Sequence, residues 1–580
     1  WDVRHIFMVT GRGILFLSDA VAKCNKVMGI SMHHEQAAAY AAVAYAQYTG
    51  GPGACLVSTG CASTNALTGV LCAWQDNIPC VFVSGQNPLR ETTRYSGIPL
   101  RTFGSQEADI ISIVEPITKY AVMITEAEQI VSEVDKAIDL AQTGRKGPVW
   151  LDIPLDIQNM RIEPAELSTY KHTGNSFCIP RKEDIQYVIN SLQNAERPVV
   201  LIGSGIRSAE AITELLVFVE KNHIPITCAA SAVDVVSVDT ELSLGTVGSL
   251  GGTRAGNFAV QNSDLLLVLG CRLSPVITGS EYEKFAREAR IIVVDIDKVE
   301  HSKKTIKIDR LIIADVKEFL AAINKESTKC ADDVWTAKCL HWKNIFPRCE
   351  EQYKVSDKIG LHYLAECLSK TVSNDAVVLC DAGLEELIIP SSVYFREKQR
   401  CIHPVSQGAM GFALPASIGA YFASGCQIVV VTGDGSIMMN LQELQTIKYH
   451  NIPVKIIVVS NNLYAIIKQR QTGLFRSRTI GTNPQDGISC PSFQKVAECF
   501  GIAYTKIEKS EDLLQKLNEV VSMRETVLCE IIGIEDQKYL HSSYTLDSKK
   551  KYVKRPIEDQ SPFLDRELFL SEMIIDPIDQ

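Results

Sequence analysis

Two short stretches of this chain carry side chains able to do chemistry on a charged ligand. The first is Gly433-Asp434-Gly435-Ser436, followed 27 residues after Asp434 by Ser460-Asn461-Asn462. An apolar, β-branched run ends at Thr432, and a second run, 455–460, ends at the asparagines. Glycines at 433 and 435 permit a tight turn that a ligand can approach closely. Asp434 and Asn461 are hard oxygen donors, of the kind that hold Mg²⁺ together with phosphate oxygens. A turn that opens a helix adds backbone N–H groups suited to a diphosphate. Alone, Gly-Asp-Gly is also the sequence of a plain turn; the asparagines at the next strand end make it a candidate metal and phosphate site. The second stretch is Met32-His-His-Glu-Gln-Ala-Ala-Ala39. Here one carboxylic acid, Glu35, opens an apolar helix. It serves either as a proton donor in chemistry or as a partner of the helix dipole. It is no zinc motif, because Ala38 stands where His-Glu-x-x-His needs its second histidine.

The elements that must position these residues repeat. Short β-branched runs, glycine turns and helical stretches recur in three blocks, the pattern of parallel sheets covered on both faces. The predicted fold class is α/β, with three doubly wound parallel-sheet domains. The first block, 1–157, has strands at 6–9, 54–58, 80–84 and 149–153, and a strand-like 29–32 before Glu35. The second, 181–324, has strands at 199–202, 226–228, 265–269 and 291–295. The third, 358–533, has strands at 377–380, 428–432, 455–460 and 527–531, and a tail, 534–580, follows. In such sheets the turns after Thr432 and Ser460 both lie at the carboxyl edge, where ligands bind.

Composition excludes several classes. The chain has 580 residues, 46% of them apolar and 22% charged, which rules out disorder, collagen and a small disulfide scaffold. A net charge of −10, from 58 basic and 68 acidic residues, argues against a nucleic-acid partner. No apolar run approaches the roughly 20 residues of a membrane span. The 18 cysteines sit mostly inside apolar runs without a Cys-x-x-Cys pair. They read as buried, reduced thiols, and a cytoplasmic location is expected.

Gly433-Asp434-Gly435 with Asn461 at this spacing resembles a thiamin diphosphate motif, and the likeness continues through Asn440-Leu-Gln-Glu-Leu-Gln-Thr-Ile447 and Asn451-Ile-Pro-Val-Lys455. The family is that of acetolactate synthase, pyruvate oxidase and pyruvate decarboxylase. His34-Glu35-Gln36-Ala37-Ala38 resembles its His-Glu-Gln-Ala-Ala signature. The resemblance covers nearly the whole chain and implies thiamin diphosphate and Mg²⁺ as cofactors. It implies that Asp434, Asn461 and the backbone carbonyl of Leu463 hold the metal. Gly433, Gly435, Ser436, Tyr464, Ala465 and Ile466 are implied cofactor contacts. Glu35 is the implied catalytic acid beside the aminopyrimidine, and Gln106 is implied to line the reacting centre. Met410, in the glycine-rich stretch that opens at Gly408, is the implied wedge that bends the cofactor. Ala382, Gly383, Leu384 and Glu385 are implied to meet the diphosphate or thiazolium, although Leu384 and Glu385 replace a Gln-His pair of acetolactate synthase. Ser58-Thr-Gly-Cys-Ala-Ser-Thr-Asn65 resembles the family's Gly-Pro-Gly-x-x-Asn turn, with Cys61 and Ala62 in place of Pro and Gly.

By the same resemblance the donor is a 2-keto acid, pyruvate first, and the acceptor a carbonyl compound. A simple decarboxylase and an oxidase are the other activities of the family. Arg470 stands where acetolactate synthase has the tryptophan of its acceptor pocket. A permanent cation there suits a phosphorylated acceptor; otherwise it is a solvated surface residue. The tail segment Arg555-Pro-Ile-Glu-Asp-Gln-Ser-Pro-Phe-Leu-Asp-Arg566 is similar to relatives from bacterial surface-polysaccharide pathways, which points to a nucleotide-linked keto sugar. In the second block Ile202-Gly-Ser-Gly-Ile-Arg-Ser208, Gly270-Cys-Arg272 and Asp295-Ile-Asp297 leave a place for FAD. There Ser274-Pro275 replaces an Asp-Asp pair of acetolactate synthase, and Glu115 replaces an arginine. An empty Rossmann-like domain is the alternative. The resemblance finally implies a homodimer or homotetramer with sites at the subunit interface, Glu35 from one chain and Asp434 from the other.

Overall fold

The computed structural model describes residues 1, 3–163, 165, 167–172, 178–328, 331–546 and 551–578. Parts of the two connections and of the tail therefore lie outside the described residues. The chain forms three six-stranded parallel sheets. The first contains β1 (His5–Met8), β2 (Met28–Ser31), β3 (Gly53–Val57), β4 (Cys80–Gln86), β5 (Tyr120–Met123) and β6 (Val149–Pro154), in the order β2-β1-β3-β4-β6-β5. The second contains β7 (Pro198–Ile202), β8 (Ile226–Cys228), β9 (Ser243–Thr246), β10 (Leu265–Leu269), β11 (Arg290–Asp295) and β12 (Arg310–Ile313), in the order β12-β11-β10-β7-β8-β9. The third contains β13 (Val377–Cys380), β14 (Arg400–Ile402), β15 (Ile428–Gly433), β16 (Lys455–Ser460), β17 (Ala503–Ile507) and β18 (Val527–Ile532), in the order β14-β13-β15-β16-β18-β17. The first and third sheets thus share one topology.

Strands inside the sheets are apolar on both faces, as β10 (LLLVL) and β16 (KIIVVS) are, and every residue of these two is buried. That is why they stand out in the sequence. The five strands the sequence did not announce, β5, β9, β12, β14 and β17, are all edge strands. β17 (AYTKI) and β12 (RLII) carry polar residues and only one buried position each.

The helix Glu35–Thr49 follows β2, and the helix Ala413–Ser424 follows the equivalent β14. The two pack on each other. A Cβ added at Gly419 would lie 1.9 Å from the carbonyl oxygen of Ala41, so only glycine lets the helices approach this closely. Residues 37–46 of the first helix are all buried. They join the first and third domains in one continuous apolar core, while the central domain has its own. The tail folds back on the central domain: Glu558 accepts from Gln261 at 2.7 Å and Arg287 at 2.8 Å, and Glu572 accepts from the indole of Trp342 at 2.9 Å. No described helix is long and apolar enough to cross a membrane. Among the described residues all the cysteines are free thiols.

Candidate active site

The carboxyl edge of the third sheet collects most of the expected residues. β15 ends at Gly433 and passes directly into a helical turn, Asp434–Ile437. A separate helix, Glu443–Tyr449, follows and buries Leu444 and Ile447. Asp434 is buried, and its Oδ2 accepts the backbone N–H groups of Asn461 at 2.9 Å and Asn462 at 2.6 Å. Neighbouring β15 and β16 run in register, Gly433 beside Val459, which is what brings residues 27 apart into contact. Asn462 takes a φ of 57° to make the bend, and Asn461 Oδ1 accepts from Leu463 N at 3.1 Å. Gly435 is obligatory, since a Cβ there would lie 2.1 Å from the ring of Tyr464. Ala465 and Ile466 begin the helix Ala465–Leu474 just beyond.

The donor set fits Mg²⁺. A carboxylate, an amide oxygen and a free-standing backbone carbonyl come from one pair of turns, which leaves the remaining positions to phosphate oxygens. Among the described residues no cluster of three His, Cys, Asp or Glu side chains suits a metal of another habit. Burial raises the Asp434 carboxyl above its ordinary range despite the two backbone bonds. A divalent cation beside it would reverse that shift.

Glu385 lies at the same edge. Its carboxyl sits 2.7 Å from where a Cβ on Gly383 would be and 3.3 Å from one on Gly433. Burial, reinforced by the like charges of Asp434 and Asp381, pushes it up to about 8. A neutral carboxyl can donate a hydrogen bond to a phosphate oxygen, so this departure from Gln-His is compatible with a diphosphate. Leu384 is buried in the core, and Ala382 precedes it in the turn. Gly408, with φ 59°, and half-buried Met410 lead into Gly411, whose N–H donates to Ser436 Oγ at 3.0 Å.

Asp381 was not anticipated. It is fully buried, accepts from Thr432 Oγ1 at 2.6 Å and from Ala413 N at 2.8 Å, and burial pushes it up to about 6. It ties the glycine-rich segment to the end of β15. The signal was an acid at a strand end directly before Ala382-Gly383.

On the first sheet, Glu35 is the first residue of its helix, and His34 caps it by accepting from Gln36 N at 3.1 Å. Glu35 Oε2 accepts from Asn65 Nδ2 at 2.8 Å. Asn65 ends the helical turn Cys61–Asn65 that follows β3, so the acid and its asparagine come from the turns after two different strands of this sheet. Sequence reasoning quoted Asn65 but gave it no role. Gln106 is exposed, with φ 60°, and its carbonyl lies 1.7 Å from where a Gly60 Cβ would be. Gly60 thus seats the Gln106 loop beside the Cys61–Asn65 turn. Two buried side chains of the third domain hold the start of the Glu35 helix: Glu443 accepts from His33 N at 3.0 Å, and Asn440 donates to Gln36 Oε1 at 3.1 Å. Asn440 also donates to the Gly411 carbonyl at 2.8 Å. Arg470 stands apart. It is exposed on the helix Ala465–Leu474, and its charge is felt by the buried Tyr539 of the tail.

Between the three domains lies a cleft of about 280 Å³. It opens at the β7/β10 boundary, where the strand order of the central sheet reverses, the place where such sheets take nucleotides. Gly203, Gly205 and Gly270 line it, but a Cβ on Gly203 would meet the Gly270 carbonyl at 2.3 Å and one on Gly205 the Gly270 Cα at 2.6 Å. Their small size serves the packing of the two turns. Asp297 and Glu300, at the end of β11, are held by Arg145 of the first domain at 2.5 and 3.0 Å. The cleft suits a nucleotide by position and size.

Three doubly wound domains with an oxygen-donor turn pair on one sheet and a helix-opening acid on its topological twin define an enzyme that works through a bound diphosphate cofactor. Family models match all three parts of the chain: the N-terminal thiamine pyrophosphate binding domain over residues 1–113, the central domain of thiamine pyrophosphate enzymes over 185–323, and their C-terminal binding domain over 381–531. The chain is 31% identical over 556 residues to the acetolactate synthase large subunit of Haemophilus influenzae, covering 93% of both chains. It is 31% identical over 549 residues to that of Corynebacterium glutamicum, covering 92% of this chain and 85% of the relative. It is 29% identical over 545 residues to the chloroplastic acetolactate synthase of Arabidopsis thaliana, covering 91% and 79%. The chain belongs to the thiamine pyrophosphate-dependent enzymes and is of the acetolactate synthase type.

Proposed function

We propose that the protein decarboxylates a 2-keto acid, pyruvate first, and transfers the two-carbon acyl unit to a carbonyl acceptor. The observation that carries this reading is the pairing of Asp434 with the Asn461-Asn462 turn on one sheet and of Glu35 with Asn65 on the other. Thiamin diphosphate, when bound, supplies the nucleophilic carbon and the electron sink that decarboxylation needs. The protein's share is placement and protons. Asp434, Asn461 and the Leu463 carbonyl would hold Mg²⁺, which would supply positive charge to the diphosphate. Gly433, Gly435, Ser436 and the Ala382–Glu385 turn surround the phosphates, and Tyr464, Ala465 and Ile466 close the lower wall. Met410 would pack against the bound cofactor. Glu35, its carboxyl fixed by Asn65, would hold the proton that the bound aminopyrimidine needs, and Gln106 would face the substrate carbonyl. The working unit is a homodimer or a dimer of dimers, in which Glu35 and Asp434 of one site belong to different chains.

A second reading, with a nucleotide-linked keto sugar as acceptor, draws on Arg470, an exposed permanent cation five residues into the helix that starts at the candidate site. Product analysis after incubation with pyruvate, thiamin diphosphate and Mg²⁺ separates the two. Abundant acetolactate supports pyruvate as its own acceptor and leaves Arg470 without a role. Little pyruvate loss until a keto sugar nucleotide is added supports the second reading. Release of free acetaldehyde points to a simple decarboxylase, and no pyruvate consumption under any of these conditions would sink the proposal.

A further inference from the structure

A second cavity, of about 50 Å³, lies where the central domain meets the third, and it shares only Gly251 with the cleft. Two arginines from different parts of the chain line it. Arg254 is the first residue of the helix Arg254–Gln261, and Arg348 stands in the connection between the second and third domains. The Arg254 side chain is only 10% exposed. A guanidinium carries five N–H donors in a fixed fork. Among the described residues Arg254 gives one hydrogen bond, to the Pro562 carbonyl at 2.6 Å, and Arg348 gives one, to the Val393 carbonyl at 2.7 Å. Arg348 also lies over the Tyr394 ring, 4.6 Å from its centre. Acids are scarce around the pair. Among the described residues Glu350 is the one carboxylate within ion-pair reach of either, at 3.9 Å from Arg254, which is beyond a hydrogen bond. Asp559 also attracts Arg254, but Arg566 already binds it at 2.7 Å. Burial pulls both guanidinium groups below their ordinary range, by more than these acids restore. His362, on the same wall, is pushed down to about 4 by burial and is neutral at pH 7.

We propose that this cavity binds one small oxyanion, a phosphate or a carboxylate, between the guanidinium groups of Arg254 and Arg348. Two cations that share one distant acid leave most of their donors unspent, and an oxyanion meets such donors with short, charge-assisted bonds. The cavity has room for one such group and not for a nucleotide. It is a different place from the candidate diphosphate site. The helix Leu384–Ser392 stands between them: Leu387, Ile388 and Ser391 line the cavity, while Leu384 and Glu385, in its first turn, belong to the candidate active site. The inference does not rest on the carboligase reading, because substitutions rather than turnover locate the anion.

The test is calorimetric titration of the full chain, with thiamin diphosphate and Mg²⁺ present in excess, by sodium phosphate in one series and sodium acetate in another, at constant ionic strength in chloride. At least one of the two anions is expected to bind, and the tighter of them names the source of the oxyanion. Arg254→Gln and Arg348→Gln should each weaken that binding about ten- to a hundredfold, the effect of lost hydrogen bonds to a charged group, and should leave cofactor affinity unchanged. A buried arginine can be needed for folding, so a third variant acts at the rim. Glu350→Gln, at a side chain 41% exposed, removes the competing acid and should tighten anion binding about two- to fivefold, the worth of a partly exposed ion pair. Purely structural arginines would give no anion binding by the native chain, or binding that the arginine variants keep in full, and either result would overturn the site. So would weaker binding by Glu350→Gln.

Discussion

The first and third domains are the same topology put to different chemical use. In each, the strand order is second, first, third, fourth, sixth, fifth. In each, the helix after the second strand is long and made of small residues, and the two helices lie against one another. The turns beyond that frame differ. After the third strand the first domain has Ser58-Thr-Gly-Cys61, leading to Asn65, and the third domain has Gly433-Asp434-Gly435-Ser436. At the end of the fourth strand the first has Gln86-Asn87 and the third, just beyond Ser460, Asn461-Asn462. Gln86 turns back into its own sheet, donating to Asp152 Oδ2 at 3.2 Å and to the Ala108 carbonyl at 3.0 Å, so it steadies the loop that carries Gln106. Asn461 and Asn462 instead grip Asp434. A doubly wound sheet therefore supplies an edge, and a few turn residues decide whether that edge offers a proton or holds a charged ligand.

If that division is right, removing the acid from each domain should fail differently. Asp434→Ala should lower thiamin diphosphate affinity about a thousandfold, the order expected for several kcal/mol of lost metal-mediated attraction. Quenching of tryptophan fluorescence by the cofactor in Mg²⁺ reads this directly. Glu35→Gln should cut turnover about 10²- to 10⁴-fold, the usual range for a general acid, while cofactor affinity holds. If both variants lost affinity alike, the two domains would not be divided as argued.

A mixture of the two variant chains sharpens the comparison further. If a site takes Glu35 from one chain and Asp434 from the other, equal mixing and reassociation should restore about a quarter of native activity: half the dimers are mixed, and each has one intact site. Sites built within one chain would regain nothing. The smallest effect concerns the helix pair. Gly419→Ala forces a Cβ against the Ala41 carbonyl and should cost about 1–3 kcal/mol, seen as a lower thermal midpoint. Gly473→Ala, in a helix where an added Cβ meets nothing within 4 Å, should raise that midpoint slightly, by roughly 0.5–1 kcal/mol. Equal responses would mean that the tight crossing of the two helices is not under constraint.

How much of this was legible in the residues follows from burial. Strands inside the sheets read as continuous apolar runs because parallel strands covered on both faces have no polar side to show. The edge strands β5, β9, β12, β14 and β17 are short and mixed, and their strand state comes from a neighbour's hydrogen bonds. The Asp434 and Glu35 segments were legible because glycine, hard oxygen donors and a helix-opening acid stand in order along the chain. Asp381, Glu443 and Asn440 were harder: their partners, such as Thr432, His33 and Gln36, are distant in sequence, and an isolated acid or amide carries no mark of what it will meet.

The sequence by itself determined the α/β class, the three-block repetition and the two turns proposed to carry the chemistry. These depend on local properties: side-chain polarity along a strand, and residue type at a bend. Only the tertiary structure decided that the first and third sheets are topological twins, that Asn65 is the partner of Glu35, and that the Gly419 and Ala41 helices cross at contact distance. It alone also revealed the cleft among the three domains. Each of these arises where elements far apart in the chain meet, and the energies that fix them, close packing and buried hydrogen bonding, exist only once those surfaces are joined.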